Sequence, residues 1–161
     1  MVVMIKMQLT LLSKISLRLA TLGPIGYLKA PGTMGTLAVL PVIYTFLQLG
    51  LYQQLVFVVG FLFFSLIIVQ QALLCFKQVQ DPSEIIIDEV VGTLATFVGL
   101  SWSIQNLILG FMLFRFFDIY KPCGIVKIEK IPGAFGVVFD DLIAGLLANL
   151  VMRLLLISFS M

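Results

Sequence analysis

The chain has no histidine among its 161 residues. That absence removes every mechanism needing an imidazole as base, nucleophile or metal ligand. Cysteine is nearly missing too. Cys75 and Cys123 form no Cys-x-x-Cys pair, so neither a zinc site nor a disulfide framework is expected. Neither has an arginine six positions on, which excludes the phosphatase loop built around a cysteine nucleophile. Both thiols read as buried or embedded in a membrane. Charge is scarce as well, at 11% of residues against about 25% in a soluble domain. A net charge of +2 is too small to point to nucleic acid as a partner.

What the chain has instead is apolar surface: 61% of its residues are hydrophobic and its mean hydropathy is +1.16. This is the composition of an integral membrane protein, with the lipid bilayer as its surroundings, and its length makes residues 1–161 a single domain. The expected fold is all-α. Gln8–Leu22 puts Leu11, Leu12, Ile15, Leu19 and Leu22 on one stripe, with Lys14 and Arg18 four apart, as in an amphipathic helix lying in the membrane interface. Residues 23–35, with four glycines and two prolines, read as a loop or re-entrant turn. Five apolar stretches follow, at 36–51, 55–76, 85–100, 104–117 and 137–159. The third and fourth are short of the roughly 20 residues a full crossing takes. Four to five membrane helices are therefore expected, the short pair being tilted or forming a hairpin that only partly enters the bilayer.

Lys6, Lys14, Arg18, Lys29, Lys77, Arg115, Lys121, Lys127 and Lys130 fall in the tail and in alternate loops on one side, and only Arg153 lies elsewhere. The positive-inside rule assigns that side to the cytoplasm. The acids Asp88, Glu89, Asp118, Asp140 and Asp141 land on the same face, with Asp81 and Glu84 as a looser pair nearby. Carboxylates at the edge of apolar runs are functional candidates, because they are costly in hydrocarbon.

Three acidic motifs carry the chemistry. In Ile-Ile-Ile-Asp-Glu-Val-Val-Gly (85–92), two adjacent acids open a helix and point about 100° apart, so a helix cap uses only one. Gly92, one turn past Asp88, permits close approach of a backbone or ligand. In Phe-Arg-Phe-Phe-Asp-Ile-Tyr-Lys-Pro (114–122), Asp118 stands between Arg115 and Lys121, and Pro122 ends the helix. Arg115 and Asp118 could simply pair; at a metal-phosphate site the acid would hold the cation while Arg115 and Lys121 bind phosphate. In residues 132–145, a glycine-containing turn leads to Asp140 and Asp141, with Gly145 one turn beyond. Hard carboxylate oxygens suit Mg²⁺. A fourth motif, Ala-Pro-Gly-Thr-Met-Gly-Thr (30–36), has no acid but offers backbone amides, the Thr33 and Thr36 hydroxyls and the preceding Lys29 as a phosphate cradle. Together these outline metal-assisted hydrolysis of a phosphomonoester. Attack by water and a covalent aspartyl-phosphate route both fit the residues.

These four motifs, in this order, resemble the phosphatidylglycerophosphatase A family over about residues 22–150. The resemblance implies an all-helical, Mg²⁺-dependent enzyme of the bacterial inner membrane. It would hydrolyse the membrane phospholipid phosphatidylglycerophosphate to phosphatidylglycerol at the cytoplasmic face. The matching positions are Pro31, Gly32, Thr33 and Gly35; Asp88, Glu89 and Gly92; Arg115, Asp118, Lys121 and Pro122; and Gly136, Asp140, Asp141 and Gly145. Asp88, Asp118 and Asp141 are expected as direct Mg²⁺ ligands, with Glu89 and Asp140 as further ligands, outer partners or general base. Lys121, Arg115, Lys29, Thr33 and Thr36 are the expected substrate contacts. The chain departs from the family's usual pattern at Gly23-Pro24-Ile25-Gly26, at Cys123-Gly124 after the Lys-Pro pair, and at Gly133-Ala134-Phe135-Gly136. All three change loop shape and leave the carboxylates alone. A small ion-coupled transporter is the rival reading, but it calls for acids near mid-membrane and a path between two faces. The turns at 50–54 and 101–103 carry no charge.

Overall fold

A computed structural model describes residues 11–76, 81–122 and 124–159. Lys6, Lys77, Cys123 and the first turn expected of the interfacial helix lie outside them. Every regular element among the described residues is helical: α1 (Leu11–Ala20), α2 (Pro31–Leu47), α3 (Leu51–Ala72), α4 (Ile87–Phe97), α5 (Ile104–Tyr120), α6 (Ile125–Glu129) and α7 (Ala134–Phe159), with 3₁₀ turns at Ile25–Tyr27 and Leu73–Cys75.

α4 is the axis of the fold. It packs against α7, α2, α3 and α5, and all its residues except Glu89 are buried. Eleven residues make it only about 16 Å long, about half the hydrocarbon thickness. The third apolar stretch is thus a short helix enclosed by its neighbours.

α4 and α7 run parallel in a fixed register. Gly92 of α4 meets Gly145 of α7 so closely that a Cβ on Gly145 would overlap the Gly92 carbonyl oxygen. One turn further on, Asn149 donates to the carbonyls of Thr96 (2.8 Å) and Val98 (2.9 Å). Arg153 then donates from Nη2 to the same Val98 carbonyl (2.8 Å) and from Nε to Asn149 (2.8 Å). A cation and an amide from α7 thereby satisfy carbonyls that the end of α4 leaves open. This is the role of the one basic residue that the charge pattern left outside the cytoplasmic set.

The sequence Gly-x-Leu-Ala occurs in three of these helices, as Gly35–Ala38 in α2, Gly92–Ala95 in α4 and Gly145–Ala148 in α7. In each copy the glycine is buried, and Gly35 rests on Ile86 just before α4. α2 begins at Pro31, five residues earlier than the expected first span. Residues 31–35, expected as loop, are helical. Proline suits the first helical position because its missing N–H has no partner there anyway. The two glycines serve close packing, which overrides their weak helix propensity.

α3 runs antiparallel between the two ends, Gln54 reaching Gly99 N–H (2.7 Å) at one end and Gln70 reaching Ala134 N–H (3.2 Å) at the other. α5 returns from α4 and stops at Lys121, which adopts a left-handed conformation (φ 44°) before Pro122. α6 occupies part of the stretch expected only as charged connection.

α3 extended to Cys75, and α7 from Ala134 to Ser158, are long and apolar enough to cross a membrane; α2 is apolar but shorter. Only 22% and 28% of their most apolar windows are buried, unlike the core helices of a soluble protein. On α1 the buried face is small, Ser13, Ser16 and Ala20, while Leu11, Leu12, Ile15 and Leu19 are exposed. The Cys75 thiol donates to the Ser13 carbonyl (3.5 Å), and Ile86 N–H to the Ala20 carbonyl (2.9 Å). Four of the five residues of the stripe read from the sequence therefore face away from the protein, while Leu22, past the end of α1, is half-buried and packs against the core.

Candidate active site

The starts of α2, α4 and α7 and the end of α5 meet at one end of the bundle, around a cavity of about 250 Å³. Its walls carry Asp81, Asp88, Glu89, Asp118, Asp140 and Asp141 against Arg115 and Lys121. Six carboxylates against two cations leave a formal excess of four negative charges, so the pocket is built to take up positive charge.

The register of α4 on α7 decides which acids meet. Because Gly92 and Gly145 touch, Asp88 and Asp141, each four residues earlier, come to the same level. Asp88, Glu89 and Asp141 offer oxygens that all lie within 4.8 Å of one another. The Asp88 carboxylate accepts from Glu89 N–H (3.1 Å), and that of Asp140 from Asp141 N–H (3.0 Å). Glu89 Oε1 lies on Gly32 of α2, where any Cβ would collide with it. Its Oε2 is buried and has no hydrogen-bond partner. A buried, unpaired carboxylate oxygen next to two further carboxylates is costly unless a cation joins them. The residues thus fit a metal ion, and the all-oxygen donor set suits a hard divalent one.

The other two acids are already engaged. Asp118 pairs with Arg115, one turn back on α5, at 2.5 Å; it also faces Asp141. Asp140 holds Lys121 at 2.6 Å, and Glu129 of α6 reaches the same ammonium at 3.3 Å. Burial works against the Lys121 charge, but the bond to Asp140 and the fields of Asp140, Glu129 and Asp141 outweigh it, and its pKa is raised above the ordinary lysine value. Arg115 keeps a buried Nε without a partner.

Of the residues expected at a site, the structure brings Asp88, Glu89, Asp118, Asp140, Asp141, Arg115, Lys121 and Thr33 to the cavity. Lys29 is exposed beside it and does not line it. Thr36 is buried and donates its hydroxyl to the Gly32 carbonyl (2.9 Å). Two residues not singled out line the cavity: Asp81, mentioned only as part of a looser pair, and Ser83. The turn Asp81-Pro82-Ser83 immediately before the 85–92 motif was the available signal.

The phosphatidylglycerophosphatase A family model matches residues 18–156. The chain belongs to that family. A phosphatidylglycerophosphatase A of Haemophilus influenzae is 37% identical over 131 residues, 76% of each chain. The Escherichia coli K12 protein of the same name is 35% identical over 129 residues, 73% of this chain and 69% of the relative. A Bacteroides thetaiotaomicron protein, provisionally named phosphatidylinositol-3-phosphatase, is 39% identical over 69 residues; the match spans 41% of this chain and 43% of that one. No solved structure gives a significant match. All four motifs, and every acid lining the cavity, fall inside the family match.

Proposed function

We propose that the chain is a Mg²⁺-dependent phosphatase that converts phosphatidylglycerophosphate to phosphatidylglycerol and inorganic phosphate at the cytoplasmic face of a bacterial inner membrane. The observation that carries this reading is the triad Asp88, Glu89 and Asp141, with an unpaired oxygen on Glu89, in a cavity also lined by Arg115 and Lys121. The two relatives that match over most of the chain bear the name of that activity.

The triad would hold the cation, which supplies a counter-charge and a polarising centre for the phosphoryl group. Arg115 and Lys121 bind the remaining phosphate oxygens, and Asp118 and Asp140 fix their direction. The first turn of α2 lines the cavity with Gly32 and Thr33. Backbone N–H groups there have no partner within the helix and are placed to receive an anion. Phosphate thus enters between the first turn of α2 and the two cations, beside Glu89 of the triad, whose Oε1 lies on Gly32.

Placement in a bilayer rests on the exposed apolar faces of α3 and α7 and on aromatic residues. All four tyrosines and the single tryptophan are exposed. Tyr27 and Tyr120 lie at the cavity end, and Tyr44, Tyr52 and Trp102 at the other, Tyr44 meeting Trp102 edge-on at 5.0 Å. Two such levels are what headgroup belts produce. Lys14, Arg18, Lys29, Arg115, Lys121, Lys127 and Lys130 belong to the cavity end, which argues for the cytoplasm. α2, α3, α5 and α7 are the helices that cross or nearly cross, with α4 enclosed among them and α1 in the interface. A transporter reading has less support, since among the described residues Arg153 is the one charged side chain at the far end.

The test is release of inorganic phosphate from phosphatidylglycerophosphate by the purified protein, with and without Mg²⁺. Turnover should require the metal, vanish in EDTA and vanish in Asp118→Asn, which should remain folded and inserted. Activity that survives EDTA would overturn the metal assignment, and full turnover in Asp118→Asn would remove Asp118 from the mechanism.

A further inference from the structure

Away from the acidic cavity lies a second one of about 500 Å³ with the opposite character. It is formed between α1 and the 3₁₀ turn, by Lys14, Leu17, Arg18, Thr21, Pro24 and Tyr27 among others. No carboxylate lines it. Lys14 and Arg18 are four residues apart on α1, so both project from the same face, and neither side chain has a hydrogen bond or ion pair among the described residues. Two exposed cations without partners over an acid-free groove make a basic surface that suits an anion, and none of the described residues supplies one.

The depth of the groove says where that anion comes from. On the same helix Leu11, Leu12, Ile15 and Leu19 are exposed. A helix with this face outward lies at the boundary of headgroups and acyl chains, its long basic side chains reaching to the phosphate level. Tyr27, 61% exposed, also lines the groove. A glycerophospholipid offers both parts at this spacing: a phosphate for Lys14 and Arg18, and acyl chains for Leu17 and the outer leucines. A soluble anion would leave the apolar half of the groove empty.

We propose that this groove binds one anionic phospholipid of the surrounding leaflet, apart from the reacting lipid. Lys14 and Arg18 bind its phosphodiester and Tyr27 a headgroup oxygen. The site depends on the bilayer placement of α1 but not on the hydrolytic reading of the acidic cavity. Its lipid would hold α1 in the interface, and α1 is bonded through Ala20 to Ile86, two residues before Asp88.

Native mass spectrometry of the delipidated full chain, offered phosphatidylglycerol or phosphatidylcholine in EDTA, reads this directly. Wild type should retain one phosphatidylglycerol in preference to phosphatidylcholine. Lys14→Gln with Arg18→Gln should weaken retention by roughly twenty-five-fold, at about five-fold for each cation near an anionic surface. Lys14→Arg with Arg18→Lys keeps both charges and should retain the lipid, which separates loss of charge from loss of fold. Equal retention by the wild type and the glutamine variant would overturn the proposal, as would equal retention of both lipids by wild type. Because retention is read without turnover, failure here leaves the phosphatase reading untouched, and a protein inactive as a phosphatase would still give the expected lipid adducts.

Discussion

Gly92 and Gly145 touch backbone to backbone, and that single contact sets the level at which Asp88 and Asp141 face each other. A methyl group on Gly145 would meet the Gly92 carbonyl carbon at 2.8 Å and its Cα at 3.0 Å. Neither is the flexible end of a side chain, so α4 and α7 would have to separate. Gly145→Ala should cost about 2–3 kcal/mol through overpacking and lower Mg²⁺-dependent turnover more than ten-fold. Gly60→Ala, within α3 and with nothing within 4 Å of its new methyl, should leave turnover unchanged and stability equal or slightly higher. Thermal unfolding in detergent and a phosphate-release assay check the pair.

Glu89→Gln keeps size and removes the charge whose Oε2 has no partner. The expected result is a weaker apparent affinity for Mg²⁺, by ten-fold or more, with stability equal to or above that of wild type, because three crowded carboxylates become two. A Mg²⁺ titration of activity alongside a melting curve separates the two effects. An unchanged Mg²⁺ dependence would remove Glu89 from the metal set.

Much of this was legible in the residues alone. The acids stood out because each interrupts an apolar run, and the glycines one turn on foretold a close approach. How the five acids divide was legible only in part. The Arg115–Asp118 pair is a one-turn spacing on a single helix, whereas Lys121 reaching Asp140, 19 residues on, depends on where α5 ends. The start of α2 was misjudged because Gly32 and Gly35 look like loop formers until Glu89 and Ile86 are packed against them. The role of Arg153 was hidden for a simpler reason: the carbonyl it caps, Val98, lies 55 residues away.

Lys121→Gln leaves Asp140, buried and 3% exposed, without its partner. Breaking such a pair should cost about 3 kcal/mol and most of the activity. Adding Asp140→Asn should restore most of the stability and none of the turnover, a non-additivity that a double-mutant cycle measures.

The same lysine has a pH signature. Its pKa is raised in the folded chain, so its contribution to stability is complete below the ordinary lysine value of about 10.4. It is lost only as pH rises through the higher folded value. Between pH 7 and about 10, neither stability nor activity should fall on account of Lys121, and Lys121→Arg should leave the basic side of the activity profile where it was.

Arg153→Ala takes a cation from the end of α4 and leaves the Val98 carbonyl with Asn149 alone. The expected loss is about 1–2 kcal/mol of stability, with Mg²⁺ affinity and kcat/KM within two-fold of wild type, since the acids lie at the opposite end of α4. A melting curve and steady-state kinetics distinguish this from a catalytic defect.

Pro31, Asp88 and Asp141 occupy equivalent rungs, each four residues before the glycine of its Gly-x-Leu-Ala copy. Three kindred helices therefore present their heads to one chamber, and only two bring an acid. The third brings an imino acid followed by bare amides, so groups that draw a cation and groups that admit an anion stand side by side, with Glu89 lying on Gly32. A phosphomonoester would meet amides from one helix and acids from the other two, so the orientation open to it follows from which of the three helices carries proline where the others carry aspartate.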